Sequence, residues 1–383
     1  MRFEFATAAR ILFGAGTLAE VARSARELGQ RALVVTGSNP GRAVRLMESL
    51  AAVHIEPTLF SVPCEPTTDL VSAGVARARE TGCELVIGMG GGSVLDASKA
   101  VAALLTNEGD LLDHLEVIGQ AKPLGRPAAP CIAIPTTAGT GTEVTRNAVL
   151  ASPAHKVKVS LRSPFLLPRL AVVDPELTSG LPFALTATTG LDALTQLIEP
   201  FVSPRATPLT DALCREGLKR VARSLRRACE RPDPAAREDM SLASLLSGLA
   251  LAHAGLGAVH GLAAPLGGEL PAPHGALCAA LLPQVMAINL RALNGRDPSN
   301  PALERYHEIS QILTGDFAAE PSAGAAWATQ LNDVLRIPPL REYGLTSHQL
   351  PSLIERASQA TSMKGNPVPL TQAELLEVLQ RAW

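Results

Sequence analysis

Short apolar runs alternate with amphipathic stretches over the first part of the chain. Four runs have the length and composition of buried strands, namely RALVVTG (31–37), ELVIGMG (84–90), PCIAIPTT (130–137) and LAVVDPE (170–176). Helical periodicity follows the first two runs, over residues 44–53 and 93–106. Strands separated by helical crossovers predict a parallel, doubly wound sheet.

The pattern changes after about residue 178. Longer segments of helical periodicity replace the strand-like runs, over residues 185–202, 208–229, 239–265, 274–294, 303–314, 323–335 and 347–361. Pro- and Gly-rich breaks such as RPDPAA and GGELPAPHG separate these segments. We therefore expect two domains, an α/β domain over residues 1–180 and an all-helical domain over residues 181–383, and the chain length also favours two.

Composition and charge narrow the classes of function. Of the 383 residues, 46% are hydrophobic and 18% are charged, which is typical of a well-buried globular protein. The formal net charge is -2, without a basic block or an acidic tail. The chain therefore lacks the electrostatic features of a protein that binds nucleic acid or a membrane surface, and small molecules are the expected partners.

The cysteines and the N-terminus indicate a compartment. Six cysteines are scattered without a CxxC pair, several of them in apolar runs where a reduced, buried thiol is expected: Cys64, Cys83, Cys131, Cys214, Cys229 and Cys278. The first residues, MRFEFATAAR, lack the apolar core of a signal peptide, and no apolar run reaches the roughly 18 residues that a membrane helix needs. A reducing, cytoplasmic location is the prediction.

Two loops carry the residues expected at a nucleotide site. GMGGGSVLDASKA (88–100) places glycines between a strand and a helix, where backbone N–H groups can approach a phosphate. It is not a GxGxxG fingerprint, and a tight turn without a ligand is the alternative. PTTAGTGTEVTR (135–146) also follows a strand and supplies the hydroxyls of Thr136, Thr137, Thr140 and Thr142. Two such loops at the carboxyl edge of one sheet favour a dinucleotide.

Candidate metal ligands lie in the C-terminal half. GLDALTQLIEP (190–200) sets Asp192 and Gln196 four positions apart on one helical face. His260 and His274 follow in a glycine-rich stretch, GAVHGLAAPLGGELPAPHG. A lone histidine in an apolar helix is more often a core residue, but two histidines with Asp192 could supply three ligands. The spacing is not a compact metal motif, so both interpretations stay open.

Several blocks, in order, resemble the iron-containing (group III) NAD(P)-dependent alcohol dehydrogenases. They are ILFGAGTLAEV (11–21), GGGSVLDASKA (90–100), PTTAGTGTEVT (135–145), AVVDPELT (171–178), GLDALTQLIEP and the region of the two histidines. The resemblance implies a Rossmann-like cofactor domain, a helical domain of the architecture shared with dehydroquinate synthase, and substrate and metal in a cleft between them. It also makes a homodimer the expected assembly.

The resemblance also implies roles for individual residues. It places the pyrophosphate loop at Gly90, Gly91, Gly92, Ser93 and Asp96, and the second cofactor loop at Thr136, Thr137 and Thr142. Lys158 falls near the cofactor ribose, with Lys156 as a competitor and a solvated charge as the alternative. The family's four metal ligands correspond to Asp192, Gln196, His260 and His274.

The chain departs from the family pattern at two positions of the metal site. The family has a histidine where this chain has Gln196, and often a further histidine, linked to proton transfer, where this chain has Ala264. A glutamine carbonyl is a weak ligand for iron or zinc, so a divalent metal is predicted with reduced affinity. His253 is either a compensating ligand, a proton shuttle or a packed helix residue.

The residues at the end of the first predicted strand bear on the choice between NAD and NADP. NAD-preferring members of the family place an acid there, whereas this chain has Gly37, Ser38 and Asn39. A neutral pocket with Arg42 nearby can accept a 2′-phosphate. The sequence thus predicts that NADP is accepted, and it leaves a preference for NADP open.

The leading hypothesis is hydride transfer between NAD(P) and a small alcohol, aldehyde or ketone, assisted by a metal ion and by His260 and His274. Three alternatives stay open. One is a metal-independent reductase of the maleylacetate reductase type, in which His260 or His274 donates the proton. The others are a lyase related to dehydroquinate synthase and a nucleotide-binding protein that has lost catalysis.

Overall fold

The structure is a computed structural model that describes residues 2–155 and 157–383. These residues form two compact units, Ala6–Gly180 and Leu181–Trp383, and the N-terminal residues up to Phe5 belong with the second unit. The sequence division had assigned those first residues to the α/β domain. These residues belong with the helical unit because the Phe5 ring stacks on the His253 imidazole, with ring centroids 3.9 Å apart.

The first unit is built on a parallel sheet, as predicted. Among the described residues its strands are β1 (Ile11–Phe13), β2 (Arg31–Thr36), β3 (Glu56–Ser61), β4 (Leu85–Gly90), β5 (Cys131–Pro135), β6 (Asn147–Ser152), β7 (Val157–Arg162) and β8 (Leu170–Val173). Six of these strands form one parallel sheet in the order β1-β8-β5-β4-β2-β3, and β6 and β7 pair as a separate antiparallel hairpin. The four predicted strands are β2, β4, β5 and β8, which lie next to one another at the centre of the sheet.

Helices of the first unit cover the sheet. They are α1 (Val21–Arg26), α2 (Val44–Ala52), α3 (Thr68–Glu80), α4 (Gly92–Thr106) and α5 (Leu111–His114). Strand β4 is buried along its whole length, and the apolar face of α4 packs against it. Because Gly90 of β4 pairs with Pro135 of β5, the two predicted cofactor loops leave the sheet side by side.

The second unit is helical, which confirms the predicted fold class. Its helices are α6 (Phe183–Val202), α7 (Pro208–Glu230), α8 (Pro234–Ala254), α9 (Ala258–Glu269), α10 (His274–Arg296), α11 (Ala302–Thr314), α12 (Ala323–Val334), α13 (Leu350–Gln359) and α14 (Gln372–Arg381). The segment 239–265, predicted as one helix, is divided between α8 and α9. Gly255 follows α8 with φ of 73°, a conformation that favours glycine and ends the helix.

Helix α10 (His274–Arg296) matches the predicted segment 274–294 and is strongly apolar. By length and composition alone, its 23 residues would be enough to cross a membrane. However, 83% of its apolar stretch is buried inside the protein. This burial is what a core helix of a folded domain shows.

Candidate functional site

The two glycine- and threonine-bearing loops meet at the carboxyl edge of the sheet. The Thr136 N–H donates to the Gly90 carbonyl over 2.9 Å, which ties the start of one loop to the end of β4. A Cβ at Gly90 would lie 2.5 Å from Val94, and one at Gly92 would lie 2.9 Å from Thr140. These two glycines are therefore required by packing within the protein.

Gly91 is different. A Cβ there would meet Thr137 at an ordinary 3.5 Å, so packing within the protein does not demand glycine. Gly91 is the N-cap of α4 and supplies no side-chain hydrogen bond to the helix, and Ser93 lies in the first turn. The backbone of this half-buried turn suits the close approach of an anion such as a pyrophosphate.

A buried lysine, which the sequence analysis did not single out, fastens the second loop to α4. Lys99 is 1% exposed and its ammonium donates to the Thr142 hydroxyl at 2.6 Å and to the Thr145 hydroxyl at 3.1 Å. It also donates to the Asn147 carbonyl and lies 3.1 Å from Asp96 Oδ1. The Thr142 hydroxyl in turn donates to Asp96 at 2.5 Å.

This network gives Asp96 and Thr142 an internal role in holding the loop. The other carboxylate oxygen of Asp96 accepts from the Val149 N–H at 3.0 Å. Their direct contact with a cofactor stays a prediction. Beside them Glu143 is buried, and burial raises its pKa to about 7 even though Lys99 opposes the rise.

The remaining predicted cofactor residues lie around the same sheet edge or on the hairpin. The Gly37 carbonyl, before Ser38, accepts from the Ser61 hydroxyl at 2.9 Å. Arg42 donates to the Leu177 carbonyl at 2.6 Å.

On β7, Lys158 donates to Glu65 at 2.6 Å. Its competitor in the sequence analysis, Lys156, lies outside the described residues.

The predicted metal ligands converge in the helical unit. Asp192 comes from the middle of α6, His260 from α9, and His274 from the first residue of α10. Asp192 Oδ1 lies 3.4 Å from His260 Nε2 and 3.8 Å from His274 Nε2. Cys278 joins them one turn further along α10, and one ligand atom from each of the four residues lies within 4.8 Å of the others. We call these four residues the donor cluster.

Small residues make this convergence sterically feasible. Gly275 follows His274, and a Cβ on it would lie 2.2 Å from the Thr188 carbonyl oxygen on α6. Only glycine lets the start of α10 approach α6 so closely. The close approach brings His274 and Cys278 to Asp192.

Glu199, one further turn beyond Gln196 on α6, orients His260. Its carboxylate lies 2.6 Å from His260 Nδ1 and accepts from the Val259 N–H at 2.7 Å. A carboxylate behind a histidine in this way fixes the ring and leaves Nε2 directed at the site. Glu199 was not among the predicted site residues, although its spacing from Asp192 and Gln196 on one helical face was an available signal.

Gln196 and Cys278 are two further buried side chains at this site. The Gln196 side chain is buried, and its Oε1 accepts from the Ser247 hydroxyl at 3.1 Å. The Cys278 sulfur lies 3.8 Å from His260 Nε2 and 3.6 Å from His274 Nε2. Cys278 is thus a buried free thiol, as expected for a cysteine in an apolar run, and its sulfur faces two imidazoles.

His253 is not a member of the donor cluster. Its Nδ1 lies 2.7 Å from the Leu249 carbonyl oxygen of its own helix, and its ring stacks on Phe5. The structure thus favours the interpretation of His253 as a packed helix residue.

Within the donor cluster, the acidic groups and the imidazoles shift one another's pKa toward the charged forms. Burial alone would raise the pKa of Cys278, but His274 and His260 lower it below its usual value. Burial likewise opposes a charged His260, yet Cys278 and Glu199 raise its pKa well above the usual range. The pKa of Asp192 is lowered despite burial, by the neighbouring imidazoles of His260 and His274.

Comparison with known proteins covers both units. Residues 8–175 match the family described as iron-containing alcohol dehydrogenase, and residues 186–383 match the C-terminal family of Fe-containing alcohol dehydrogenases. The chain is 35% identical to the probable alcohol dehydrogenase EutG of Salmonella typhimurium, over 97% of this chain and 92% of that protein.

Two solved structures extend the comparison to the fold. A crystal structure of 1,3-propanediol oxidoreductase has a TM-score of 0.93 and 32% identity, with both chains fully covered. A sulfoacetaldehyde reductase from Bifidobacterium kashiwanohense, solved in complex with NAD+, has a TM-score of 0.88 and 29% identity. That match covers 99% of this chain and 98% of the other.

Proposed function

Because this chain belongs to the iron-containing alcohol dehydrogenase family, whose members are oxidoreductases, we propose that it transfers a hydride between NAD(P) and a small alcohol or carbonyl compound. A divalent metal ion held by Asp192, His260 and His274 assists the reaction. The convergence of these three side chains from three helices is the observation that carries the proposal.

The residues fit a metal ion. Asp192 is 2% exposed, and among the described residues its Oδ1 has no hydrogen-bond partner. A buried carboxylate oxygen without a partner is costly unless a cation or a proton balances it. Two imidazole nitrogens face the same oxygen, and nitrogen with carboxylate oxygen is a donor set that iron and zinc accept.

The chain's own residues prepare the reaction in three ways. Glu199 holds His260 in one orientation through the contact at Nδ1. The His274 side chain, 42% exposed, forms the open side of the donor cluster, where a substrate can enter. The backbone from Gly91 to Ser93 binds the cofactor pyrophosphate. Thr136 and Thr137, on the neighbouring loop, also bind the cofactor. When bound, the ion supplies a Lewis acid for the substrate oxygen and the nicotinamide carries the hydride.

The proposal is tested by assaying small alcohols and aldehydes with both nicotinamide cofactors, before and after removal of metal. We expect activity to fall on exhaustive chelation and to return on addition of zinc or ferrous iron. Activity that survives complete removal of metal would instead support the metal-independent reductase, with His260 or His274 as proton donor.

Cofactor choice gives a second test, at the end of β2. We propose that the protein accepts NADPH, because no carboxylate at Gly37 or Ser38 repels a 2′-phosphate. A Cβ at Gly37 would meet only Val94, at an ordinary contact distance of 3.8 Å, so the backbone there accepts a side chain. We expect Gly37→Asp to lower kcat/KM for NADPH by about 10-fold or more while sparing NADH.

Gly37→Asn is the matched control for this substitution, since it adds a side chain of nearly the same size without charge. It should leave the ratio of the two cofactors close to that of the unmodified protein. A strong preference of the unmodified protein for NADH, or equal effects of the two substitutions, would contradict the proposal.

The proposal also includes the cellular compartment and the oligomeric state of the protein, neither of which affects the chemistry. All six cysteines are free thiols, which is consistent with the reducing cytoplasm expected from the sequence. A homo-oligomer stays a prediction from the family resemblance.

A further inference from the structure

The fourth position of the metal site is the feature that this chain has changed. Gln196 occupies the place of a family ligand, but its amide oxygen already accepts a hydrogen bond from Ser247 inside the protein. Its amide oxygen is also a weak donor for iron or zinc. The site therefore needs another fourth ligand or remains incomplete.

We propose that Cys278 is that ligand, so that the metal site of this chain consists of Asp192, His260, His274 and Cys278 and takes zinc in preference to iron. The inference rests on the proposed function for the presence of a metal ion. It goes beyond that function in assigning a thiolate ligand and the identity of the metal.

Four of the separations between donor atoms are close to those expected around one metal ion. An ion with bonds of about 2.0–2.3 Å to oxygen, nitrogen and sulfur has neighbouring ligand atoms about 3.3–3.7 Å apart. Here the two Asp192–histidine separations are 3.4 and 3.8 Å. The two Cys278–histidine separations are 3.8 and 3.6 Å. Each of these four separations lies within that range or about 0.1 Å beyond it, so the sulfur stands close to the position of a fourth ligand.

The second argument concerns lone pairs. Glu199 also accepts from the Val259 N–H, and its contact with His260 Nδ1 makes that nitrogen the donor. His260 Nε2 therefore directs a lone pair at the cluster when the ring is neutral, as do Asp192 Oδ1 and the Cys278 sulfur. Acceptors that converge in a buried space call for a cation at their centre.

The choice of metal follows from the sulfur. A thiolate is a soft ligand, and tetrahedral sites of mixed sulfur and nitrogen are typical of zinc. Replacing an imidazole of the family site by a thiolate therefore makes the donor set more favourable to zinc. The position of Cys278 one turn after His274 lets a single helix supply both ligands.

The test uses cobalt as a spectroscopic substitute for zinc in the full-length protein, stripped of metal and reloaded. We expect a near-ultraviolet thiolate-to-cobalt charge-transfer band together with the visible bands of tetrahedral cobalt. Cys278→Ser should lose the charge-transfer band, keep cobalt absorption in the visible, and bind cobalt at least about 10-fold more weakly. X-ray absorption of the zinc protein should show one sulfur at about 2.3 Å.

Two substitutions serve as controls. Cys214→Ser removes a buried thiol of the same unit that lies outside the donor cluster, and it should keep the band. Gln196→Ala should keep it as well, because Gln196 is not a ligand in this proposal. Persistence of the band in Cys278→Ser would overturn the proposal.

Bound cobalt without a charge-transfer band in the unmodified protein would also overturn it, while leaving metal-assisted hydride transfer intact. Failure of the unmodified protein to bind cobalt or zinc at all would overturn the thiolate ligand and the metal-assisted function together. The optical readouts do not depend on activity, so the two failures are distinguishable.

Discussion

Asp192→Asn is expected to leave the protein folded but without bound metal, and to lower kcat by about 10³-fold. Asp192 is the carboxylate of the donor cluster, and its Oδ1 lies within 3.8 Å of both cluster histidines. Asparagine keeps the shape and removes the charge that attracts the ion. Loss of a Lewis acid that contributes several kcal/mol to the transition state corresponds to about three factors of ten in rate.

The measurements are metal content by mass spectrometry and kcat with saturating substrate and cofactor. Asp239→Asn is the matched control, because Asp239 is a buried aspartate of the same helical unit. It pairs with Arg220 and Arg223 and lies outside the donor cluster. The control should lose stability but keep its metal and most of its kcat. Normal metal content and kcat in Asp192→Asn would refute the assignment of Asp192.

Lys99→Met is expected to destabilise the α/β unit by about 3 kcal/mol. The ammonium is fully buried and satisfies the carboxylate of Asp96 together with oxygens of Thr142, Thr145 and Asn147. Removal of one partner of a buried ion pair leaves an uncompensated charge, which costs roughly 3–5 kcal/mol. We take the lower end because the Asp96 side chain is 13% exposed.

Urea unfolding followed by circular dichroism measures this loss. Trp327 and Trp383 both lie in the helical unit, so their fluorescence reports separately on the part of the protein that was not changed. The double variant Lys99→Met with Asp96→Asn removes both charges and should recover at least about 1 kcal/mol. If the double variant is less stable than Lys99→Met alone, charge pairing is not the cause.

The sequence predicted the elements whose side chains are buried on every side. Strands β2, β4, β5 and β8 are nearly continuous apolar runs because helices or neighbouring strands cover them. Strand β3 (EPTLFS) escaped prediction because it lies at the edge of the sheet, is half-exposed and contains Pro57. The three-residue strand β1 is too short for any periodicity.

Within the site, sequence patterns predicted the residues that follow family blocks and missed those that depend on packing. Cys278 lies in LCAALLP, an apolar run that is typical of core, and only its spacing of four from His274 pointed to another role. Lys99 is a lone cation in an otherwise apolar helix, and Asp96 three residues earlier was the corresponding signal. Neither spacing reveals which atoms meet, because that depends on how separate helices and loops pack.

The distribution of the donor cluster over α6, α9 and α10 has a consequence for folding. In the unfolded chain these residues are too far apart in sequence to form a preorganised site, so an ion binds tightly only after the three helices have docked. An ion bound as proposed would act as a removable cross-link, and its binding free energy would add to the stability of the helical unit by mass action. We then expect the availability of the ion to govern how long the helical half of this protein survives heat and proteolysis.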